Sequence, residues 1–503
     1  MLHSQTDENV IKQQFLKSAF ARESLGKSDE DVLKWLREQN EQVTVRIHQT
    51  RFSKLKHWYY DDERHSLRHE SGKFFSIDGI RVSTNWGFKS SWEQPIINQP
   101  EVGYLGCLVK EFDGVLHFLM QAKIEPGNIN KVQLSPTLQA TRSNFTRVHN
   151  GRKPEYLEFF QNARPDQILL DQLQSEQGAR FLRKRNRNIV VRLEEDVEIK
   201  SNFIWLTVGQ IKSLMTHDHI VNMDTRTVIS GLPFGTYDLE TCSIFSYLSG
   251  EDQQSAPTSN FLLSALYAQG AKIPTQAIIS KITGFKSQYD LLIHEAKLKS
   301  LQQWVYTDEE IYHENRTFFR VIPVEVEIGN REVQAWSQPM IQPVQEGLCA
   351  FVCRRINGVL HIAMQLKLEC GNHDIIELAP TVQTLTGDYK KANTGIIPFL
   401  DYVLQTDPEF IYLDTMQSEE GGRFYQEQNR NMIVIAPDTP PNRAGREVPF
   451  ESELYGELPA NYIWMTLHQL GEFIKFNNYL NIQARSLIAA ISFIGTSGKQ
   501  AQR

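Results

Sequence analysis

The sequence predicts an α+β fold with two tandem copies of one domain. The stretch that begins at Gly106 is written again from Gly347, and positions such as His69 and His313 keep an offset of 244 residues (313 − 69). A register held over so many positions indicates an internal gene duplication. Residues 117–125 alternate polar and apolar side chains, which is the period of a strand with one face in a core. Short strands, long connections and helices in each copy are typical of α+β domains.

The elements follow in chain order. Residues 1–42 are predicted to form an entry helix that packs on the first domain, because apolar residues recur there at helical spacing. A W-x-Q-P stretch at Trp92 recurs at Trp336. The segment LQSEQGARFLRKRNRNIVV from Leu173 and its counterpart from Met416 are predicted to be a helix followed by a buried strand.

Three regions are expected from the extent of the repeat. The first domain covers residues 1–230, a connector without a clear counterpart covers 231–283, and the second domain covers 284–503. The first copy is expected to hold the working pocket, and the second is expected to be non-catalytic or supporting.

Composition limits the classes of function. The net charge is -7, with 53 Lys plus Arg against 60 Asp plus Glu, which argues against general nucleic-acid binding. Five cysteines without paired C-x-x-C spacing make a disulfide framework or a zinc site improbable and favour a reducing cytoplasm. No uninterrupted apolar stretch approaches 18 residues, so we expect no membrane span.

Three motifs carry a resemblance to a known family. The stretch QAKIEPGNINKVQLSPTLQATRSNFTRVH, its partner QSEQGARFLRKRNRN and the W-x-Q-P pair closely resemble the NDP-hexose 2,3-dehydratases of deoxysugar biosynthesis. The resemblance covers both copies. It implies two tandem Nudix-like α/β/α domains, a homodimer, and a dTDP-linked 4-keto-6-deoxy hexose as substrate.

The reaction implied is elimination of the hydroxyl at sugar carbon 2. The enol that forms tautomerises to a 3,4-diketo-2,6-dideoxy sugar nucleotide, which a downstream 3-ketoreductase normally consumes. The ketone at carbon 4 acidifies the hydrogen on carbon 3, so a general base and a general acid suffice. No metal and no cofactor is therefore expected.

A comparison with the Nudix box argues against hydrolysis. The box needs several carboxylates on one helix to hold divalent ions. The corresponding residues 171–179 have Gln172 and Ser175 at two carboxylate positions, and residues 414–422 are similarly depleted. We expect the helix to be kept and the metal cluster to be lost. A Nudix-type nucleotide-sugar pyrophosphohydrolase is the alternative enzyme, and a catalytically silent nucleotide-sugar binding protein is a third hypothesis.

The catalytic candidates lie in the repeated stretch, and their individual roles stay open. They are His117, Gln121, Lys123, Glu125 and His149. Each has a structural alternative: a local hydrogen bond for the histidine at 117, loop anchoring for the glutamate, a solvated strand position for the lysine, and a buried backbone partner for the glutamine. The histidine at 149 is Asn393 in the second copy.

Candidates for substrate binding combine arginines for the diphosphate with polar groups for the base and sugar. They are Trp92, Asn128, Asn130, Gln133, Ser135, Thr137, Arg142, Arg147, Arg180 and Arg187. The equivalent pocket of the second copy is expected to comprise His361, Gln365, Lys367, Glu369, Asn372, Arg423 and Arg430. A core position for the tryptophan and an i,i+4 ion pair with Glu176 for the arginine at 180 are the alternatives. The basic run at residues 183–185 could suggest an RNA patch, but the second copy has Gln426, Glu427 and Gln428 there, so a solvated helix face is expected.

Overall fold

A computed structural model describes residues 5–87, 89–141, 153–248, 257–329, 334–385, 389, 395–441 and 448–495. It is a mixed α and β structure, as the sequence predicts. Four sheets lie in two matching pairs, one seven-stranded and one five-stranded sheet for each half of the chain.

The described elements of the first half and the connector are as follows. The helices are α1 (Gln5–Phe20), α2 (Asp29–Glu41), α3 (Leu157–Gln161), α4 (Val208–Leu214), α5 (Met223–Ser230), α6 (Leu239–Leu248), α7 (Pro257–Leu266) and α8 (Thr275–Gln288). The strands are β1 (Val45–Gln49), β2 (Trp58–Asp61), β3 (Ser66–His69), β4 (Ser76–Thr84), β5 (Ser91–Asn98), β6 (Gly103–Phe112), β7 (Val115–Ile124), β8 (Val132–Ser135), β9 (Leu138–Ala140), β10 (Ile168–Ser175), β11 (Arg185–Arg192) and β12 (Phe203–Leu206).

The described elements of the second half repeat this series. The strands are β13 (Leu291–Ala296), β14 (Trp304–Tyr306), β15 (Ile311–His313), β16 (Phe319–Ile328), β17 (Ala335–Pro343), β18 (Gly347–Ile356), β19 (Val359–Lys367), β20 (Glu377–Ala379), β21 (Val382–Thr384), β22 (Ile411–Ser418), β23 (Gln428–Ile435) and β24 (Tyr462–Met465). The helices are α9 (Leu400–Leu404), α10 (Glu451–Tyr455), α11 (Leu467–Phe473) and α12 (Ile482–Ala489).

The two seven-stranded sheets have the same topology. Their orders are β10-β11-β6-β7-β12 and β22-β23-β18-β19-β24, with two short strands added to the central pair of each. Among the described strands, the β6–β11 and β18–β23 pairs alone are parallel. In β7 the apolar residues Phe118, Met120 and Ile124 enter the main core, as the alternating pattern predicts.

The five-stranded sheets exchange strands between the halves. Strand β1 of the first half pairs with β16 of the second, with Val45 opposite Ile328. Strand β13 of the second half pairs with β4 of the first, with Leu291 opposite Thr84. Each half therefore completes a sheet of the other, and the domain limits expected from the repeat do not separate two independent sets of strands.

The prediction of a helix over residues 171–179 and 414–422, the segments compared with the Nudix box, is wrong. Residues 171–175 belong to β10, which pairs with β11 along its length. Residues 176–184 then form turns, in which Arg183 has a positive φ of 51°. Residues 414–418 are likewise part of β22. The ladder of backbone hydrogen bonds to the neighbouring strand outweighs the local helical pattern. The relation to the Nudix fold itself stays a prediction.

The ends of the first domain carry further helices. The entry region contains two helices rather than one, and Ser28 begins α2 with a capping box to Asp31. The connector holds α6, α7 and α8. None of the described helices is long and apolar enough to cross a membrane.

Candidate active site

A cavity of about 370 Å³ lies between the two halves of the chain. Its wall combines the carboxyl end of β7 and the start of α5 with a turn and a strand of the second half. The lining residues that matter for its chemistry are Lys123, Glu125, Gln139, Glu176, Lys184, Asn186, Asp224, Glu420 and Arg423. We call this group the first centre.

The floor of the first centre is a hydrogen-bonded group around Gln139 on β9. Lys123 donates from Nζ to the Gln139 carbonyl at 2.9 Å, and Gln139 Nε2 donates to Glu125 Oε1 at 2.8 Å. Asn222, the N-cap of α5, donates to Gln139 Oε1 at 3.2 Å. Gln139 thus holds the lysine through its backbone carbonyl, and the Glu125 carboxyl group through its side-chain amide, next to the start of α5.

A buried lysine and a glutamate form one side of the centre. Asn186 donates from Nδ2 to Glu176 Oε1 at 2.6 Å, and Lys184 Nζ donates to Asn186 Oδ1 at 2.9 Å. Lys184 is 5% exposed, so the solvated helix face expected for residues 183–185 is wrong. Burial lowers the pKa of Lys184 and raises the pKa of Glu176, and the attraction between the two opposes both shifts.

Asp224 is a buried carboxyl group of the first centre. It stands in the first turn of α5, is 2% exposed, and its Oδ1 is buried with no hydrogen-bond partner among the described residues. Burial raises the pKa of Asp224 well above its ordinary value, and the charges of Glu176, Glu125 and Glu420 add to the rise while Lys123 opposes it. The carboxyl group is therefore protonated more readily than an exposed aspartate.

Glu420 enters the first centre from the second half. Burial raises its pKa to about 8, the charges of Glu125 and Glu176 add to this, and Arg423 opposes it. It stands in a turn that contacts the first half closely, since Gly127 N donates to the Gly421 carbonyl at 2.7 Å.

The same scaffold recurs around β19, and we call it the second centre. It comprises Lys367, Glu369, Gln383, Glu419, Glu427, Asn429 and Gln483, together with Gln177 and Arg180 from the first half. Lys367 donates to the Gln383 carbonyl at 3.2 Å, and Gln383 Nε2 donates to Glu369 Oε1 at 2.9 Å. The turn contact recurs as well, since the Gly371 amide donates to Gly178 at 2.6 Å.

Three positions distinguish the two centres chemically. Asp224 corresponds to Gln483, and Glu420 corresponds to Gln177. Lys184 corresponds to Glu427, a reversal of charge. The second centre thus keeps the shared lysine and glutamates but has amides where the first has its two strongly perturbed acids.

Of the predicted catalytic residues that the structure describes, two line the cavity and two lie outside its wall. Lys123 and Glu125 line the cavity, whereas His117 and Gln121 lie outside its wall. His117 is six residues before Lys123 on β7, about 20 Å away at the rise of a strand. Its Nδ1 bonds the Val115 carbonyl at 2.9 Å, and burial lowers its pKa. The histidine therefore has the structural role that was the alternative.

The same position in the second copy is also structural. His361 Nδ1 bonds the Val359 carbonyl at 2.8 Å, and His361 Nε2 accepts a hydrogen bond from the Lys272 amide. Gln365 pairs through its backbone with Ala379 on β20. Neither belongs to the second centre.

The polar residues after β7 hold loops together instead of lining the cavity. Asn128 donates to the Lys131 carbonyl, and Asn130 donates to the His219 carbonyl. Gln133 donates to Ser418 Oγ at 2.8 Å, which ties the two halves together. The remaining two, Ser135 and Thr137, bond Gln139 Oε1 and the Leu119 carbonyl respectively. Asn372 is the counterpart of Asn128 and lies against Gly178.

Three residues predicted to bind substrate contact the other half of the chain. Arg180, at 1% exposure, lies near Glu427 and Glu369 of the second centre, and Arg423 lines the first centre. Trp92 packs with Cys370 of the second half, whereas Trp336 lines the cavity. The W-x-Q-P strand of each half, and the turn that carries its arginine, lie at the centre of the other half. The constant spacing between the two copies does not show this exchange.

The remaining arginines have partners or lie outside the described residues. Arg187 makes a two-pronged ion pair with Asp171, and Arg430 makes the same pair with Asp414. Neither lines the cavity. Arg142, Arg147 and His149 lie outside the described residues.

Sequence reasoning missed Asp224, Glu420, Glu176 and Lys184. A usable signal existed, because Asp224 and Glu420 are acids in one copy and amides in the other. Among the described residues, no group of three or more His, Cys, Asp or Glu side chains could hold a metal ion.

Comparison with known proteins gives consistent matches. A family model described as NDP-hexose 2,3-dehydratase matches residues 29–232 and 275–491. A dTDP-4-dehydro-6-deoxy-alpha-D-glucopyranose 2,3-dehydratase of Saccharopolyspora spinosa is 42% identical over 469 residues, which is 92% of this chain and 91% of that protein. Proteins of the same name from Amycolatopsis orientalis and Streptomyces violaceoruber are 36% and 38% identical over 94% and 92% of this chain, and over 92% and 97% of their own lengths.

Proposed function

The chain belongs to the NDP-hexose 2,3-dehydratase family, and we propose that the first centre eliminates the carbon-2 hydroxyl of dTDP-4-keto-6-deoxyglucose. The family and the hydro-lyase activity predicted from the sequence are confirmed by the comparisons. The observation that favours the first centre is its pair of acids, the buried Asp224 and the half-buried Glu420, because both are amides in the second centre.

The elimination needs one group that accepts a proton and one that donates it. Removal of the carbon-3 proton leaves an enolate at carbon 4, and its collapse forms the C2–C3 double bond and breaks the C2–O bond. The leaving hydroxyl takes a proton and departs as water. Two interacting carboxyl groups with raised pKa values can hold one proton between them near neutral pH, which suits both tasks. Asp224 and Glu420 are this pair in our proposal.

Lys123 is the group we assign to the carbon-4 oxygen. It lines the cavity beside Asp224, and its attraction favours the ionised form of that carboxyl group. A cation held by the Gln139 carbonyl can stabilise negative charge as it develops on the substrate oxygen. Glu125, fixed by the same glutamine, is placed to orient the sugar through its carboxylate.

Aromatic side chains supply a surface for the nucleotide. Tyr104, Trp58 and Trp336 line the same cavity as the acids. The Trp336 indole is oriented by a 2.9 Å hydrogen bond from its Nε1 to Gln338 Oε1. Flat, oriented rings of this kind are suited to stack on a pyrimidine base. A homodimer and a downstream 3-ketoreductase stay predictions.

The test is turnover with trapping of the product. The chain is incubated with dTDP-4-keto-6-deoxyglucose, a matching 3-ketoreductase and reduced nicotinamide, and the sugar product is identified by mass spectrometry and NMR. We expect a 2-deoxy sugar nucleotide. Release of thymidine monophosphate in the presence of magnesium, without loss of the carbon-2 hydroxyl, would instead support the pyrophosphohydrolase alternative.

A further inference from the structure

The entrance of the first-centre cavity carries a lysine and a histidine whose counterparts in the second copy are two glutamines. We call Lys56, His57, Trp58, Trp336 and Ser337 the first mouth, since all five line the cavity. Lys56 and His57 are exposed and precede β2, whereas Asp224 of the first centre is buried and Glu420 is half-buried. A ligand that spans the cavity from the acids to solvent passes these two side chains.

The backbone of the mouth is the same in both copies. The Lys56 amide donates to Ser337 Oγ at 2.7 Å, and the Trp58 indole donates to the Ser337 carbonyl at 2.9 Å. At the second mouth the Gln302 amide donates to Glu93 Oε2, and Trp304 donates to the Glu93 carbonyl at 2.8 Å. The scaffold is therefore inherited, and differences between the side chains can be compared position by position.

The side chains differ in charge. With Trp58 aligned to Trp304, Lys56 becomes Gln302 and His57 becomes Gln303. Ser337 becomes Glu93, which forms an ion pair with Arg81 at 2.7 Å. The first mouth thus has a lysine and a histidine beside a serine, whereas the second has two amides beside a carboxylate that is paired with Arg81. Lys56 therefore gives the first mouth a cation at a position where the second has an amide.

His57 is held in a defined orientation. Its Nδ1 contacts Glu70 Oε1 at 2.6 Å, so the ring presents Nε2 to a ligand. The imidazole and the Lys56 ammonium are neighbours in sequence and can reach adjacent oxygens of one ligand.

The cations deeper in the cavity are engaged by protein groups. Lys123 donates to the Gln139 carbonyl, Lys184 to Asn186 Oδ1, and Arg423 to Gln99 Oε1 at 3.2 Å. An elongated nucleotide sugar with its hexose at the acids places its diphosphate away from that floor. We propose that Lys56 and His57 bind the diphosphate of the nucleotide-sugar substrate and so select the first centre over the second; this inference rests on the proposed function.

The test converts the first mouth into the second with Lys56→Gln and His57→Gln together. Substrate and transition state carry the same diphosphate, so the variant loses binding equally in both. We expect KM for dTDP-4-keto-6-deoxyglucose to rise about 100-fold, as for two charge-assisted hydrogen bonds, with kcat nearly unchanged. The inhibition constant of dTDP should rise in parallel, whereas that of thymidine should stay the same.

A matched control separates specific contact from general charge. Lys54 is exposed and two residues from Lys56, but it does not line the cavity. Lys54→Gln should leave KM unchanged. An equal rise in KM for this variant would overturn diphosphate binding by Lys56 and His57, because it would show that any positive charge near the entrance attracts the substrate. Unchanged dTDP inhibition in the double variant, or a fall in kcat at constant KM, would overturn it as well. Absence of product from the unmodified chain would count against the proposed function. Calorimetric titration of dTDP into the unmodified chain and the double variant would still test whether Lys56 and His57 bind the diphosphate.

Discussion

The two centres share a scaffold and differ in their acids, which separates architecture from chemistry within one chain. Both have a lysine on a glutamine carbonyl and a glutamate on the same glutamine amide. Such shared groups hold the loop and turn in place wherever the scaffold occurs. Asp224 and Glu420, present once, are the groups that a reaction would require.

The largest effect on turnover is expected for Asp224→Asn. Burial raises the pKa of the Asp224 carboxyl group, and the isosteric amide keeps the shape of the side chain while it removes the capacity for proton transfer. We expect kcat to fall about 1,000-fold, within the range of general acid–base catalysis, while the urea-unfolding midpoint stays near that of the wild type. Product trapping measures the first quantity and circular dichroism the second.

The matched variant in the second centre is Gln483→Glu. It introduces a carboxyl group at the position equivalent to Asp224. Turnover should be unchanged, since the added acid lies in a centre that lacks the counterpart of Glu420. Loss of activity in this variant, with activity retained in Asp224→Asn, would reverse the assignment of the two centres.

Two neighbouring glutamates, Glu419 and Glu420, belong to different centres. Burial raises the pKa of both Glu419 and Glu420 to about 8. Glu420→Gln should lower kcat about 100-fold, because Glu420 lines the first-centre cavity. Glu419→Gln should leave kcat unchanged, because Glu419 bonds Gln177 and Asn429 of the second centre. Equal losses in both variants would mean that the turn, and not the carboxyl group, matters.

A smaller effect is expected in the pH dependence of stability. The ordinary pKa of a glutamate is 4.5, and burial raises the pKa of Glu419 in the folded chain to about 8. Between these values the folded chain holds a proton that the unfolded chain has released, so the free energy of unfolding falls as pH rises. The contribution is fully present below about pH 4.5 and is lost above pH 8. Urea titrations at several pH values should test this. As pH rises within this window, the free energy of unfolding of Glu419→Gln should increase relative to that of the wild type by about 1 kcal/mol per pH unit. Parallel pH profiles would contradict the raised pKa.

The repeat and the strand pattern predict much of the fold from sequence. The alternation in residues 117–125 places β7 and its apolar face correctly. The helix over residues 171–179 was wrong, because strand pairing with β11 decides that segment and a single sequence does not show its partner. Lys184 was misplaced for the same reason, since a turn buries a residue that a helix would expose.

The site was harder to predict because it is assembled across the halves. Arg180 and Arg423 are equivalent in sequence, yet each serves the centre of the other half. The offset of the repeat relates positions but carries no information about which copy a side chain faces. The histidine on β7 shows a second limit: a residue type suited to catalysis satisfies a local hydrogen bond instead.

The smallest predicted effect concerns Arg187, which the sequence suggested as a diphosphate ligand. Its ion pair with Asp171 is partly exposed, at 32% and 39% of the two side chains, and Arg430 with Asp414 is nearly the same at 31% and 37%. Such pairs contribute about 0.5 kcal/mol. We therefore expect Arg187→Met and Arg430→Met to lower the free energy of unfolding by that similar amount, measured by urea titration, with KM for the nucleotide sugar unchanged in both. A rise in KM confined to Arg187→Met would return this arginine to the substrate site and would add a fourth difference between the two centres.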